Sequence, residues 1–367
     1  MSRDTAWVVV THAMLPNGAA HRLAQTLLHD GIAVGLCATP LPGAPRWREE
    51  RLFPQQQVPQ VLVDERRPVP LTQEFRSAIS LCRFARAIRR SSLSDLVLVG
   101  CDPLSFLEAM AAFRCARVHI RASAAWFVDW SAHRLERPVE ALAYRSTSTA
   151  ALRLADVPAA ISPFAADALT RTAKIRKDVL VLPNQALQLG PGPVWEERPL
   201  RVVYMGGLSD QQGTAVLLGV AEALAAHGVF VDIIGDGPAT PAVTARVMNI
   251  QGVHFHGVVA DVATLARIML QARVGLALYD PLFPQYLYGD SLKIKDYLAA
   301  GMRVVSTLPT SVEDGVIVTS EYSVPAVVTA TRFALSQPAP TDPATHPMLE
   351  DAKRAVTHFR SVMEAIP

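Results

Sequence analysis

Residues 200–238 read LRVVYMGGLSDQQGTAVLLGVAEALAAHGVFVDIIGDGP, and this succession of residue types decides the fold. The apolar run LRVVY leads to a glycine pair, a segment of helical period follows, and the apolar run VFVDII ends at another glycine. The three parts are typical of a buried strand, a helix and a second strand. Because both strands are nearly all apolar, this unit predicts a parallel sheet covered by helices on both faces.

The same alternation recurs before and after this unit. Earlier strands are predicted at 7–13, 32–38, 95–100, 117–123 and 157–162, and later ones in VHFHGVV, RVGLALY and MRVVSTLP. A stretch rich in Pro and Gly, without any period, separates the two series. A chain of 367 residues also exceeds what one core usually supports. We predict an α/β chain of two Rossmann-like, doubly wound domains, with residues 1–183, a linker at 184–198, residues 199–345 and a closing helix at 346–367.

Composition excludes several classes of function. Half of the residues are hydrophobic and the net charge is +2, which indicates a globular chain and disfavours a nucleic-acid partner. Cys37, Cys82, Cys101 and Cys115 show neither CxxC spacing nor nearby histidine clusters, so they predict buried thiols in a reducing compartment without zinc or disulfides. No apolar run reaches about 18 residues, and we expect a cytoplasmic protein without a spanning helix.

Ligands of open parallel sheets bind outside the carboxyl ends of the strands, so two such domains favour a cleft for a nucleotide-like donor and an acceptor. Motifs stand at these predicted strand ends: YMGGL (204–208), IIGDGP (233–238), VHFHGVV (253–259) and VGLALYDP (274–281). With these motifs the chain resembles GT-B glycosyltransferases over nearly its whole length. The resemblance implies transfer of a sugar from a nucleotide-diphosphate sugar, UDP- or dTDP-linked, without a metal or other cofactor.

Three glycines are predicted to meet this donor. Gly206 and Gly207 follow a strand directly, where missing side chains let backbone amides approach a diphosphate. Gly235, in GDG, takes the same place after the next strand. The alternative is a tight turn that closes the strand, and it is stronger for Gly235 because such turns favour Gly and Asp in any case.

The stretch YGDSLKIKDYLAAG (288–301) opens a helix that the resemblance brings to the nucleotide sugar. Carried over by position, Lys293 binds the diphosphate and Asp296 accepts the ribose hydroxyls. Amides at the helix start reinforce an anion site, and the donor set is completed by Tyr286, Tyr288, Ser291 and Leu292. The alternative is a capped surface helix with Ser291 as the cap. For Lys295 we expect that alternative, with the ammonium in solvent.

The sequence indicates the catalytic base less clearly than the donor site. In the commonest retaining branch of GT-B glycosyltransferases, an Arg and a Lys follow the first glycines of the second half, where this chain has GGLSDQQG. The motifs RAS (121–123) and SLK are similar to those of the inverting xanthan glucuronosyltransferase type. There an acid follows RAS, whereas this chain has Ala124. Asp129 is the first candidate for the base and His12 the second, with structural roles open for both. The acceptor residues are predicted to be Gly18, Trp126 and Trp130.

The acceptor itself stays open. It is a sugar, a lipid-linked intermediate or a small molecule with a hydroxyl group. The basic segment EFRSAISLCRFARAIRRSS (74–92) has Phe75, Ile79, Phe84 and Ile88 near its arginines and fits either an anionic membrane surface or an ordinary amphipathic helix. Two other functions compete with an inverting glycosyltransferase: a GT-B-shaped sugar-nucleotide epimerase, and a non-catalytic protein that binds sugar nucleotides.

Overall fold

The computed structural model describes residues 5–11, 18–32, 34–38, 81–82, 85–86, 88–89, 95–127, 138–173, 177–259, 261–283, 286, 289–308, 314–319 and 321–366. The chain divides into two compact units, which we call unit 1 and unit 2. Unit 1 comprises Met1–Gln185, Tyr288–Asp290 and Ala352–Pro367, and unit 2 comprises Ala186–Leu287 and Ser291–Asp351. Within the described ranges, no helix is long and apolar enough to cross a membrane.

Unit 1 is built on a parallel six-stranded sheet in the order β2-β1-β3-β4-β5-β6. Its strands are β1 (Thr5–Thr11), β2 (Val34–Ala38), β3 (Asp95–Gly100), β4 (Ile120–Phe127), β5 (Val157–Ala160) and β6 (Leu180–Val181). Its helices are α1 (Ala19–His29), α2 (Pro103–Cys115), α3 (Pro138–Leu154) and α4 (Pro163–Ala173). The connection from β1 to β2 runs toward one edge of the sheet and the connection from β3 to β4 runs toward the other edge, as a doubly wound fold requires.

The last helix of the chain completes the core of unit 1. The Trp7 side chain of β1 is fully buried, and its ring meets Phe359 edge-on with 5.9 Å between centroids. Phe359 belongs to α10 (Pro347–Glu364), which starts in unit 2 and enters unit 1 at Ala352. Two further α10 side chains, Val356 and Met363, lie in the same core.

Two predictions for unit 1 need correction. The strand expected at 117–123 starts at Ile120 and continues through Phe127. Arg117 follows α2 with φ 56°, a left-handed conformation that ends the helix and delays the strand. Cys115 was expected to be buried, but it lies exposed in the last turn of α2.

The basic segment 74–92 is described only in part. Leu81, Ala85 and Ile88 are at most 1% exposed and belong to the core of unit 1, whereas Arg86 and Arg89 are exposed. Ile88 is therefore not available to a membrane, which favours the ordinary amphipathic helix for this stretch. Phe75, Ile79 and Phe84 lie outside the described residues.

Unit 2 contains a second parallel six-stranded sheet, in the order β12-β11-β10-β7-β8-β9. Its strands are β7 (Arg201–Met205), β8 (Phe230–Ile234), β9 (Val253–Gly257), β10 (Val274–Ala277), β11 (Arg303–Ser306) and β12 (Val316–Val318). Its helices are α5 (Thr214–Ala225), α6 (Thr240–Val247), α7 (Val262–Met269), α8 (Leu292–Ala299) and α9 (Val324–Ser336). Both sheets confirm the predicted pair of doubly wound α/β folds.

The one carboxylate in the strand VFVDII is paired inside unit 2. Asp232 is 1% exposed, and it accepts hydrogen bonds from Arg201 Nη1 at 2.6 Å and from His256 Nε2 at 2.7 Å. These partners stand on the neighbouring strands β7 and β9. Because a buried charge needs such partners, the polar residue does not interrupt the apolar strand.

The boundary between the units falls after Gln185, within the stretch predicted as a linker. Leu187 is 3% exposed and Trp195 is 8% exposed, and both are counted in unit 2. Arg198 is also buried. Its Nη1 donates to the carbonyls of Ala272, Ala300 and Gly301 at 3.0, 2.9 and 3.2 Å, which fixes this segment to the ends of two helices.

Candidate functional site

The candidate site lies at the carboxyl edge of the unit 2 sheet. β7 and β10 are hydrogen-bonded neighbours, but the chain leaves β7 toward β8 and leaves β10 toward β11, on opposite sides. Ligands of doubly wound sheets bind at this switch point. The turn after β7 and the start of α8 both come to it, and they bring together Tyr204, Gly206 and Lys293.

The glycines in these turns allow close packing. Gly206 has φ 150°, and a Cβ placed there would stand 2.3 Å from Lys293 Cε. Gly235 has φ 139°, and its Cβ would stand 1.8 Å from the Gly206 carbonyl oxygen. Any side chain at either position would therefore displace the turn or the lysine.

The predicted amide role does not fit two of these glycines. The Gly206 amide donates to the Ile234 carbonyl at 3.0 Å, and the Gly235 amide donates to the Gly257 carbonyl at 2.8 Å. Both amides are committed to the protein and do not point at a ligand. Gly207 lies next in the turn, where an added Cβ would stand 3.1 Å from Gln212 Nε2.

Lys293 is the centre of the site. It is 7% exposed, and its Nζ donates to Gln212 Oε1 at 2.7 Å and to the Tyr204 hydroxyl at 3.3 Å. The ammonium also lies 4.6 Å from the ring centroid of Tyr204 and 4.7 Å from that of Tyr279. Aromatic faces attract a cation, so the ammonium is held by two rings and two neutral oxygens.

The described residues do not neutralise this buried charge. Among the residues that the structure describes, no carboxylate contacts the Lys293 ammonium. Burial lowers the pKa of Lys293 from 10.5 to about 7, because desolvation disfavours the charged form. A protonated lysine here leaves a net positive charge in a poorly solvated place, and an anionic ligand would offset it.

The start of α8 adds to the positive potential. Ser291 caps the helix, and its Oγ accepts from the Ile294 amide at 3.4 Å and lies 2.7 Å from the Tyr279 hydroxyl. Leu292 and Lys293 form the first turn, where the helix dipole presents its positive end. Tyr286 packs beside this cap, with its ring 4.7 Å from that of Tyr279.

Asp296 does not have the predicted geometry. Its side chain is fully buried, and Oδ1 accepts a hydrogen bond from the Leu187 amide at 2.9 Å. A carboxylate without exposed surface cannot reach a ribose, so the ribose interpretation does not fit. Lys295 was expected in solvent and is only 2% exposed. α8 buries both side chains within unit 2, which its charged sequence did not indicate.

Four functional positions were missed in the sequence. Tyr204 and Gln212 contact Lys293 directly, and Tyr279 supplies the second ring. Tyr297 accepts from the Met205 amide at 2.8 Å and donates to the Leu276 carbonyl at 3.2 Å, so it ties α8 to β7 and β10. A tyrosine at or just beyond the carboxyl end of each of these two strands is the signal that could have found Tyr204 and Tyr279.

The residues predicted in the N-terminal half are only partly described. His12, Asp129, Trp130 and, from the donor set, Tyr288 lie outside the described residues. Gly18 stands before α1 with φ -72°, as the residue that precedes the helix. Trp126 was predicted to bind an acceptor, but it is fully buried in β4 and its Nε1 donates to the Leu182 carbonyl at 2.9 Å. A buried indole offers no face to a sugar, so this prediction is wrong.

Comparison with known proteins supports the architecture. Residues 199–336 match the family model described as glycosyl transferases group 1. Among solved structures, the Anabaena protein HepE, in complex with UDP and glucose, is 13% identical with a TM-score of 0.65, covering 98% of this chain and 99% of that one. A search of curated sequences finds no significant match.

Two other solved structures with the same fold are named for different activities. Sucrose-phosphate synthase from Thermosynechococcus elongatus is 15% identical with a TM-score of 0.60, covering 96% of this chain and 94% of that one. The UDP-GlcNAc 2-epimerase of Methanocaldococcus jannaschii is 9% identical with a TM-score of 0.54, covering 98% and 100%. At these identities the likeness establishes the GT-B fold, and the function needs its own argument.

Proposed function

We propose that the protein is a glycosyltransferase that moves a sugar from a nucleoside-diphosphate sugar to a hydroxyl group of an acceptor, with inversion at the anomeric carbon. The match of residues 199–336 to a glycosyltransferase family model supports the class of reaction. The likeness of RAS and SLK to the xanthan glucuronosyltransferase type supports inversion. The acceptor is a sugar, a lipid-linked intermediate or a small molecule.

The single observation that carries the proposal is the Lys293 ammonium. It stands at the switch point of the unit 2 sheet, beside a helix start, and the described residues supply no counter-charge. A diphosphate supplies that charge. A neutral ligand would leave the buried cation as costly as it is in the free protein.

The chemistry gives this lysine a defined task. The acceptor oxygen bonds to the anomeric carbon as the bond from that carbon to the β-phosphate oxygen breaks, and the acceptor proton passes to a base. Negative charge grows on the departing nucleoside diphosphate, where a fixed ammonium stabilises it. We assign the base to Asp129, with His12 as the second candidate, and we assign no metal to the step.

Calorimetric titration with UDP, dTDP and uridine tests the donor site. We expect Lys293→Met to weaken binding of the preferred nucleoside diphosphate at least tenfold, about 1.4 kcal/mol, and to leave uridine unchanged. Lys353→Met, which removes an exposed lysine on α10, is the matched control and should bind like the wild type. Equal losses for UDP and uridine would remove the phosphate role from Lys293.

A sugar-nucleotide epimerase remains the second candidate, because an epimerase is among the structures with this fold. Both enzymes need a site for the donor diphosphate, so binding does not separate them. To separate the two enzymes, the protein is incubated with a UDP-sugar, with and without an acceptor mixture, and the products are identified by mass spectrometry and NMR. A glycosylated acceptor with free UDP identifies the transferase, whereas an epimerised sugar without acceptor identifies the epimerase.

A further inference from the structure

Gln212 touches the charged centre of the site. It ends the short helical turn Asp210–Gln212, between the glycine turn after β7 and α5. Its Oε1 lies 2.7 Å from Lys293 Nζ, and its Nε2 lies against Gly207, 3.1 Å from where a Cβ would stand. The amide is therefore held between the turn and the ammonium, with its carbonyl oxygen on the cation.

An amide at this place has a different effect from a carboxylate. Its carbonyl dipole stabilises the protonated lysine, as any acceptor hydrogen-bonded to a charged group does. It adds no negative charge, so it does not compete with an anionic ligand. A glutamate of nearly the same size would pair with the lysine and cancel the charge that a diphosphate needs.

We propose that Gln212 is the positioning residue of the anion site, which holds the Lys293 ammonium in place and keeps it charged without neutralising it. This inference rests on the proposed function, since the ligand it serves is the donor diphosphate. The two can fail separately, because the state of Lys293 can be measured without a ligand.

The groups around the ammonium support this role. Besides Gln212, the described side chains that contact it are phenols: Tyr204 from β7 and Tyr279 after β10. Burial raises the pKa of Tyr204 well above its usual value, so this phenol stays neutral. The ammonium donates to Gln212 at 2.7 Å and to the Tyr204 hydroxyl at 3.3 Å, so the hydrogen bond to Gln212 is the shorter one.

Three described carboxylates farther out interact with other groups. On α8 itself, the Asp296 carboxylate accepts from the Leu187 amide. Near the turn that carries Gln212, Asp210 and Asp280 act on Tyr322, whose pKa burial and these carboxylates raise to about 12. The contact between Gln212 and Lys293 is thus the one whose change should alter the charge of the site most.

The chain has five lysines, so each ε-carbon resonance is resolvable in a protein labelled with ¹³C-lysine. Lys293→Arg assigns the signal. In the ligand-free wild type we expect its titration midpoint near pH 7; Gln212→Met should lower the midpoint by about one pH unit, and Gln212→Glu should raise it by at least about one. Gln211→Glu, which adds the same charge at the neighbouring exposed residue, should shift it far less.

UDP titration at pH 6.5 gives the second readout. Gln212→Glu should weaken UDP binding at least tenfold although the lysine is then more firmly protonated, and Gln211→Glu should weaken it by less than about threefold. A Lys293 midpoint that Gln212→Met leaves unchanged, or Gln212→Glu binding like the wild type, would overturn the positioning role. If the Lys293 titration midpoint responds to the Gln212 variants but the wild type does not bind UDP, only the proposed donor site is overturned.

Discussion

Lys293 shows how a single residue can be placed for a ligand at a cost to the free protein. Folding takes its ammonium from water into a site with two rings, a hydroxyl and an amide, and burial lowers its pKa to about 7. The unfolded chain holds the same proton up to about pH 10.4. Between these values the unfolded state binds more protons than the folded one, so stability should rise with pH across this window.

A stability measurement on Lys293→Met tests this cost. Methionine keeps most of the volume and removes the charge, so we expect it to raise the free energy of unfolding at pH 6, by roughly 3 to 5 kcal/mol at most, from about 1.4 kcal/mol per pKa unit. The gain should be largely gone by pH 9.5, where the folded wild type already holds a neutral lysine. Urea unfolding at both pH values measures it, with Lys353→Met as the control; a gain that does not depend on pH would contradict the charge argument.

The resemblance to GT-B glycosyltransferases, carried over by position, singled out Lys293, but the roles expected for Lys295 and Asp296 do not fit the structure. A lysine in the first turn of a helix after a strand is a recognisable anion-site pattern. Lys295 and Asp296 are charged residues two and three positions later, yet both are buried, and Asp296 accepts a hydrogen bond from the distant Leu187 amide. Because local sequence does not record which distant backbone reaches a helix, their roles could not be read from it.

At the scale of elements, the strands were predictable because parallel strands are buried on both faces and are therefore almost uninterruptedly apolar. The start of β4 was not, since it depends on the left-handed turn at Arg117, a conformation that the residue type disfavours. The apolar run of β8 also contains one carboxylate, Asp232, and its two partners stand on the adjacent strands, which a local sequence pattern does not indicate.

Arg198 joins separate elements through backbone carbonyls. Its guanidinium donates to the carbonyls of Pro193, Ala272, Ala300 and Gly301 and so holds the segment after Gln185 against the ends of α7 and α8. Since α8 carries Lys293, this anchoring also supports the candidate site.

Removing this anchor should destabilise unit 2. We expect Arg198→Ala to lower the free energy of unfolding by about 3 kcal/mol, because buried carbonyls lose a charged donor at about 1.5 kcal/mol or more per hydrogen bond. Thermal and urea unfolding measure the loss. Arg171→Ala, which breaks an exposed pair with Asp167, should change stability by less than about 1 kcal/mol. If both variants lost the same free energy of unfolding, the buried hydrogen bonds of Arg198 would not contribute more than an exposed ion pair.

At the scale of the whole molecule, each unit repeats the same plan: a parallel sheet with a switch point at its carboxyl edge, between β1 and β3 in unit 1 and between β7 and β10 in unit 2. The sequence predicted this repetition, because each half shows the same strand and helix alternation. It also predicted a donor site in the half that forms unit 2, from its short glycine turns and its charged helix start. The chemistry proposed for the other half rests on side chains whose types have many structural uses, as Trp126 illustrates.

The proposal places the donor site in unit 2 and the catalytic base in the N-terminal half, so variants of the two halves should show different kinetic defects. Asp129→Asn should lower turnover roughly a hundredfold or more, as loss of a general base does, and should leave UDP affinity unchanged because Asp129 serves the acceptor. If His12 is the base instead, His12→Ala should show that loss and Asp129→Asn should not. Proton NMR coupling of the product gives the anomeric configuration: inversion agrees with a protein base, whereas retention, with both variants active, would assign the acceptor proton to the leaving phosphate and remove both residues from catalysis.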